Sequence, residues 1–256
     1  MTKEKYMALA DFQTLWDNKL KPWINGQKAD KTDVAALADA IGFDTDVEFV
    51  DLGLPSGTLW ARCNVGAETE TGYGNYYMYG KGATQYNSSD SAYTGNENPL
   101  DTEHDTATQV MGAPWHMPTQ EQIFELIENT TFSWQTNFNG SGINGAKFTA
   151  ANGNYIFLPA GGYKNVGNTY DVGAQGEYWG STPNIPTDSS WAHSLLFTKN
   201  GASDSIDSRS IGALVRGVTA KSVTTELSQK ADKSELPTYA TPAECRAIVT
   251  GYTPSE

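Results

Sequence analysis

The sequence predicts an α+β fold over residues 47–218, carried between short helical segments at residues 1–46 and 219–256. Three observations support this. Residues 47–54 and 58–63 alternate apolar and polar on either side of the turn Pro55-Ser56-Gly57, the pattern of two paired strands. Thr102-Glu103-His104-Asp105 and Thr119-Gln120-Glu121-Gln122 read as capping boxes before apolar residues at helical spacing. Residues 155–158, 193–198 and 213–218 are strand-like runs set among Gly-, Asn- and Ser-rich connections.

The first box, ahead of Ala107, Val110 and Met111, opens a short helix near 102–112. The second opens a helix near 119–129, with Ile123, Phe124, Leu126 and Ile127 on one face. Residues 72–98, rich in Gly, Tyr, Asn and Ser, read as loops. The order is strands, two short helices, then loop-rich strands, with a large irregular surface.

The flanks have a different character. Residues 5–25 predict an amphipathic helix in which Phe12, Leu15, Trp16 and Leu20 share one side, with Asp11 as N-cap and Pro22 limiting its length. Two tryptophans, Trp16 and Trp23, on so short a segment fit a face docked on another protein or packed on the chain's own main domain. Gln27-Lys28-Ala29-Asp30-Lys31-Thr32-Asp33-Val34 recurs as Gln229-Lys230-Ala231-Asp232-Lys233-Ser234-Glu235-Leu236, one copy on each side of the central region. Val34, Leu37 and Ile41 continue the first copy at three-then-four spacing; Val223 and Leu227 precede the second. Such seams are too short to stand alone and suit a bundle between identical chains, a trimer before a dimer; the bland alternative is a pair of solvated linkers.

Composition narrows the partners. The 256 residues carry a net charge of -13, which repels phosphate backbones and anionic lipid and so predicts neither nucleic-acid binding nor membrane docking. Seven Trp and 13 Tyr mark a folded chain. No apolar run approaches the ~20 residues that span a bilayer, and residues 1–10 lack the apolar core of a signal peptide. Two distant cysteines, Cys63 and Cys245, form no disulfide framework and no metal spacing, which points to assembly in a reducing cytoplasm.

Candidate chemistry is thin. His104 sits among Asp101, Glu103 and Asp105, where an acidic helix start explains the charges better than a metal does. His116 reads as a core or hydrogen-bonding group, and His193 begins a strand. Glu97-Asn98-Pro99 has the residue types of a calcium loop in another order, and Asp51, Asp171 and Asp188 are scattered. No nucleophile elbow, phosphate loop or zinc-protease pattern is present, so neither enzyme activity, metal nor cofactor is expected. The stronger candidate is a ligand-binding surface within residues 179–209, formed by Asn184, Asp188, Ser189, Trp191, Ser203, Asp204, Asp207 and Ser208. Short polar groups with an occasional aromatic make adaptable contacts at low entropic cost.

Several central segments carry a family resemblance. They are Val50-Asp51-Leu52-Gly53-Leu54-Pro55-Ser56-Gly57-Thr58-Leu59-Trp60-Ala61, Cys63-Asn64-Val65-Gly66-Ala67, Trp115-His116-Met117-Pro118-Thr119, Asn152-Gly153-Asn154-Tyr155-Ile156-Phe157-Leu158-Pro159-Ala160-Gly161-Gly162-Tyr163, Tyr178-Trp179-Gly180-Ser181-Thr182-Pro183 and Arg209-Ser210-Ile211-Gly212-Ala213-Leu214-Val215-Arg216. Together they resemble the Fibrobacter major paralogous domain family, with departures at His116 and Gly217. The resemblance implies a C-type-lectin-like domain over 47–218, similar to formylglycine-generating enzymes and to the variable proteins of diversity-generating retroelements. In the variable proteins the region matching 179–209 displays the ligand site. The flanks are similar to phage fibre linkers and to the anchoring helix of head-fibre and tail-fibre proteins, here Phe12, Leu15 and Trp16. The expectation is a phage virion structural protein made in the host cytoplasm. It would anchor to other virion proteins through its N-terminal helix, oligomerise through Val34, Leu37 and Ile41, and display a domain for a host-surface glycan or protein. Rival expectations are a bacterial surface or secreted adhesin, a decoration without a ligand, and an enzyme like the formylglycine-generating ones, which the separation of Cys63 from Cys245 opposes.

Overall fold

The structure is a computed structural model that describes residues 48–185 and 189–220. The anchoring and seam residues Phe12, Leu15, Trp16, Val34, Leu37 and Ile41, and also Asp188, lie outside the described residues. The α+β expectation, and with it the C-type-lectin-like architecture, is corrected. The described residues form a β-rich fold of short strands in four antiparallel sheets, with α-helix confined to α1 (Thr106–Met111) and α2 (Gln120–Asn129) and a short 3-10 turn at Phe138–Gly140. The helices were legible because caps are local signals. The strands were under-read because Ser-, Asp- and Gly-rich segments become strands only through their partners.

Strands β1 (Phe49–Asp51) and β2 (Thr58–Ala61) form the expected hairpin, with Val50 opposite Trp60. Its turn is closed by Gly57 N donating to Leu54 O at 2.9 Å, at a positive φ of 74° that glycine tolerates. The last strand, β13 (Val218–Ala220), pairs with the other side of β2, so the two ends of the described chain meet on one strand. The 213–218 run is therefore split: β12 is only Gly212–Ala213, and the pairing resumes at Val218.

Helix α1 begins later than its sequence pattern implied. Its cap is Asp105, not Thr102: Asp105 Oδ1 accepts from Thr108 N at 2.9 Å, and Oδ2 accepts from Met117 N at 2.8 Å. Helix α2 has the predicted box, Thr119 Oγ1 accepting from Gln122 N and Gln122 Oε1 accepting from Thr119 N. It buries Ile123 and Leu126, whereas Phe124 faces outward.

Between α2 and the next sheet the chain forms β4 (Thr130–Gln135), β5 (Gly145–Ala150) and β6 (Tyr155–Pro159), paired in that order. Strands β7 (Tyr163–Asn165) and β8 (Asn168–Tyr170) form a tight hairpin joined to β12 and to β3 (Tyr77–Met78). The longest strands, β9 (Gln175–Pro183), β10 (Trp191–Thr198) and β11 (Gly201–Ser208), form a sheet with β10 at its centre.

That sheet supplies both cores. Alternation sends Tyr178, Leu195 and Phe197 to one face, where they pack with Trp60, Ile123, Leu126, Phe148 and Leu158. Trp179 and Ala192 go to the other, with Tyr77, Tyr79, Met117 and Val215. Gly176 permits the first packing, since a Cβ there would lie 2.0 Å from Phe197 Cζ.

A buried guanidinium locks the sheets together. Arg216 Nε donates to Asn64 Oδ1 at 2.9 Å, Nη1 to the Ala61 and Arg62 carbonyls, and Nη2 to Phe157 O at 3.0 Å. Asn64 in turn donates to Tyr73 O and Tyr178 Oη, and Tyr178 donates to Pro159 O. Burial lowers the Arg216 pKa to about 10, so the group remains cationic at neutral pH.

Candidate functional site

Most of the predicted ligand surface falls on β10 and β11, in regular strands and not in loops. Strand geometry therefore divides it. In the β10–β11 register Trp191 faces Ser208, His193 faces Ile206, Leu195 faces Asp204 and Leu196 faces Ser203. Side chains alternate, so Trp191, Ile206, Asp204 and Ser208 lie on the α2 side, and Ser203 and Asp207 on the opposite one.

One end of the α2 side gathers four of the eight predicted residues. Trp191 is 39% exposed. Its cross-strand partner is Ser208, whose hydroxyl is 2.8 Å from Ser210 Oγ. Asn184 N donates to Trp191 O at 3.0 Å, and Ser189 is exposed in the intervening turn. Ile206, which the residue types did not single out, stands diagonally from Trp191 and is 46% exposed. Its signal was available: the alternation of 201–208 sets a lone Ile at an outward position of a Ser- and Asp-rich run.

Trp191 is held firmly from behind. Its carbonyl accepts from Arg209 Nε at 3.1 Å as well as from Asn184 N. Arg209 is fully enclosed, lies 4.8 Å over the Tyr79 ring, and donates through Nη1 to Gly95 O at 2.6 Å. The guanidinium thus ties the β10–β11 end to the irregular segment around residues 93–95. An aromatic side chain on a backbone held in this way, with the Ser208 hydroxyl as its cross-strand neighbour, meets a ligand at a reduced ordering cost.

The remaining predicted residues have internal partners. Asp204 bonds His193 Nδ1 at 2.9 Å and accepts from Gln120 Nε2 at 3.1 Å, joining β10, β11 and the start of α2. Asp207 lies 2.8 Å from Ser194 Oγ, and the same hydroxyl lies 2.7 Å from Oε1 of Glu177. Burial pushes the Glu177 carboxyl well above its ordinary range, and the adjacent Asp207 pushes it further. Ser203 is exposed on this side, away from Trp191.

The three histidines are also engaged. His104 Nδ1 pairs with Asp101 Oδ1 at 2.7 Å, and its ring lies 4.4 Å from that of Tyr93. His116 Nδ1 is 2.8 Å from Met117 O. Among the described residues no group of three or more His, Cys, Asp or Glu side chains is placed to share a metal ion. Cys63 lies just past β2, partly exposed, and not within a strand.

The arrangement at Trp191 suits recognition by ring stacking, apolar contact and hydroxyl hydrogen bonds. No family model, no curated protein and no solved structure matches the chain.

Proposed function

We propose that the chain is a phage virion structural protein, a fibre or fibre-like decoration of head or tail. It presents its β-rich domain outward for attachment to a host or another surface. The observation that carries this reading is Trp191: a large aromatic, over a third exposed, braced through its carbonyl by a buried arginine and bordered on the neighbouring strand by Ile206 and Ser208. Trp191 and Ile206, exposed on the same face of adjacent strands, form an apolar pair of the kind found at the centre of interaction surfaces. Three sequence features add support: the resemblance to the Fibrobacter major paralogous domain family, the duplicated Lys-Ala-Asp-Lys segments flanking the domain, and the Trp-bearing N-terminal segment. Attachment proceeds without bond chemistry or cofactor.

The test has two arms. Mass spectrometry of purified particles made in the producing host should find the chain as a stoichiometric virion component. Particles carrying Trp191→Ala should adsorb to host cells more slowly than wild type while retaining the same protein content. Absence of the chain from particles would sink the virion assignment. Unchanged adsorption of the variant would remove Trp191 from the attachment surface.

A further inference from the structure

Ser194 Oγ on the central strand lies 2.7 Å from Glu177 Oε1 of β9 and 2.8 Å from Asp207 Oδ2 of β11. A hydroxyl owns one hydrogen and can donate it to one acceptor at full strength. Two ionised carboxylates would leave one of these short contacts as an oxygen–oxygen repulsion, at a site where Ser194 and Glu177 are buried and Asp207 is half-buried. A second proton resolves the geometry: protonated Glu177 donates to Ser194 Oγ, and Ser194 donates to Asp207. We propose that Glu177 and Asp207 share one proton across Ser194, and that this proton clamps the edge strand β11 to β10 and β9.

The surroundings agree. Gln175 Nε2 donates to the other oxygen of Glu177 at 3.1 Å, which leaves Oε1 free to face Ser194. From β7, Tyr163 meets the same carboxylates. Burial first, then Asp171, Tyr170, Glu177 and Asp207, push its hydroxyl upward, so it stays neutral while the pair titrates. Asp204 and His193 project to the opposite face, and Arg209 directs Nε to Trp191 O and Nη1 to Gly95 O and Tyr93 O. Glu177 binds its proton more tightly folded than unfolded. The folded state therefore carries more protons just above the ordinary glutamate range, and stability falls as pH rises through the folded value. The strand that loosens is β11, which holds Ile206 and Ser208 beside Trp191. The inference rests on the sheet geometry and not on the attachment reading.

Carboxyl-carbon NMR of the full-length protein, titrated upward from acid, tests the proton directly. The Glu177 carboxyl carbon should titrate in a later step, above the ordinary glutamate range, and the Asp207 carboxyl-carbon shift should register that same step, because both carboxylates meet one hydroxyl. Independent titration of the two at ordinary values would overturn the proposal. Amide exchange supplies the second arm. Above the later step, β11 amides of wild type should exchange faster than their intrinsic pH dependence allows, and those of Glu177→Gln should not. Equal exchange in wild type and variant would overturn the clamp even if the proton is shared. Should Glu177→Gln fail to fold, the wild-type titration alone decides.

Discussion

Arg216 Nε donates to Asn64 Oδ1 at 2.9 Å, with both side chains enclosed by the protein. This contact joins the last segment of the domain to the chain that follows β2, and the remaining Arg216 donors reach three backbone carbonyls. Replacing Arg216 by Met leaves four buried acceptors without donors. Each unsatisfied buried group costs about 1–3 kcal/mol. The variant should lose at least about 3 kcal/mol of unfolding free energy in a denaturant titration. A loss below about 1 kcal/mol would show that water or rearrangement replaces the guanidinium.

Asp105 bonds two backbone N–H groups with its two oxygens, one at the start of α1 and one at Met117. Asp105→Asn keeps the shape but turns an NH2 toward one of those donors. The expected loss is about 2 kcal/mol, combining a damaged cap with an unpaired buried N–H. Thermal melts should show it, and Thr102→Ala, which removes the cap that the sequence pattern favoured, should leave the melting temperature nearly unchanged.

Val166 sits at the tip of the β7–β8 hairpin with φ 45°, followed by Gly167 at φ 79°. A two-residue hairpin turn with both φ values positive prefers Asn-Gly, and a β-branched residue is strained there. The side chain is 77% exposed, so little packing offsets the strain. Val166→Asn should stabilise the protein by about 1 kcal/mol. For a domain of this size that raises the melting temperature by about 2–4 °C. An unchanged or lower melting temperature would mean that Val166 makes a compensating contact.

The seam Val34, Leu37, Ile41 and the duplicated flanks lead to a prediction about assembly. Full-length protein should scatter light as a homo-oligomer, a trimer before a dimer, and residues 47–218 alone should be monomeric. Leu37→Asp places like charges together in the seam and should shift the full-length protein toward monomer. A monomeric wild type at micromolar concentration would remove this support for a fibre.

Local chemistry was legible in the sequence. The turn at Pro55-Ser56-Gly57 pairs β1 with β2, and the Thr119–Gln122 box opens α2 with Ile123 and Leu126 inward, because turns and caps are satisfied within a few residues. Trp191, Ser189, Asn184 and Ser208 were named from residue type, and the structure places them at one end of the β9–β11 sheet. Tertiary structure decided the rest. Residues 201–208 carried no strand prediction, yet they form the edge strand β11, since a Ser- and Asp-rich segment extends only when β10 satisfies its backbone. Strand alternation then separated Ser203 and Asp207 from Trp191. It also brought Glu177 and Asp207, thirty positions apart, within hydrogen-bond reach of one hydroxyl on Ser194. Phe124 turned outward and Asp105 displaced Thr102 as the cap for the same reason: the neighbours that decide burial and hydrogen bonding, such as Met117 N, arrive from elsewhere in the chain. Sequence specifies which groups need partners, and only packing of the sheets determines which partners they meet.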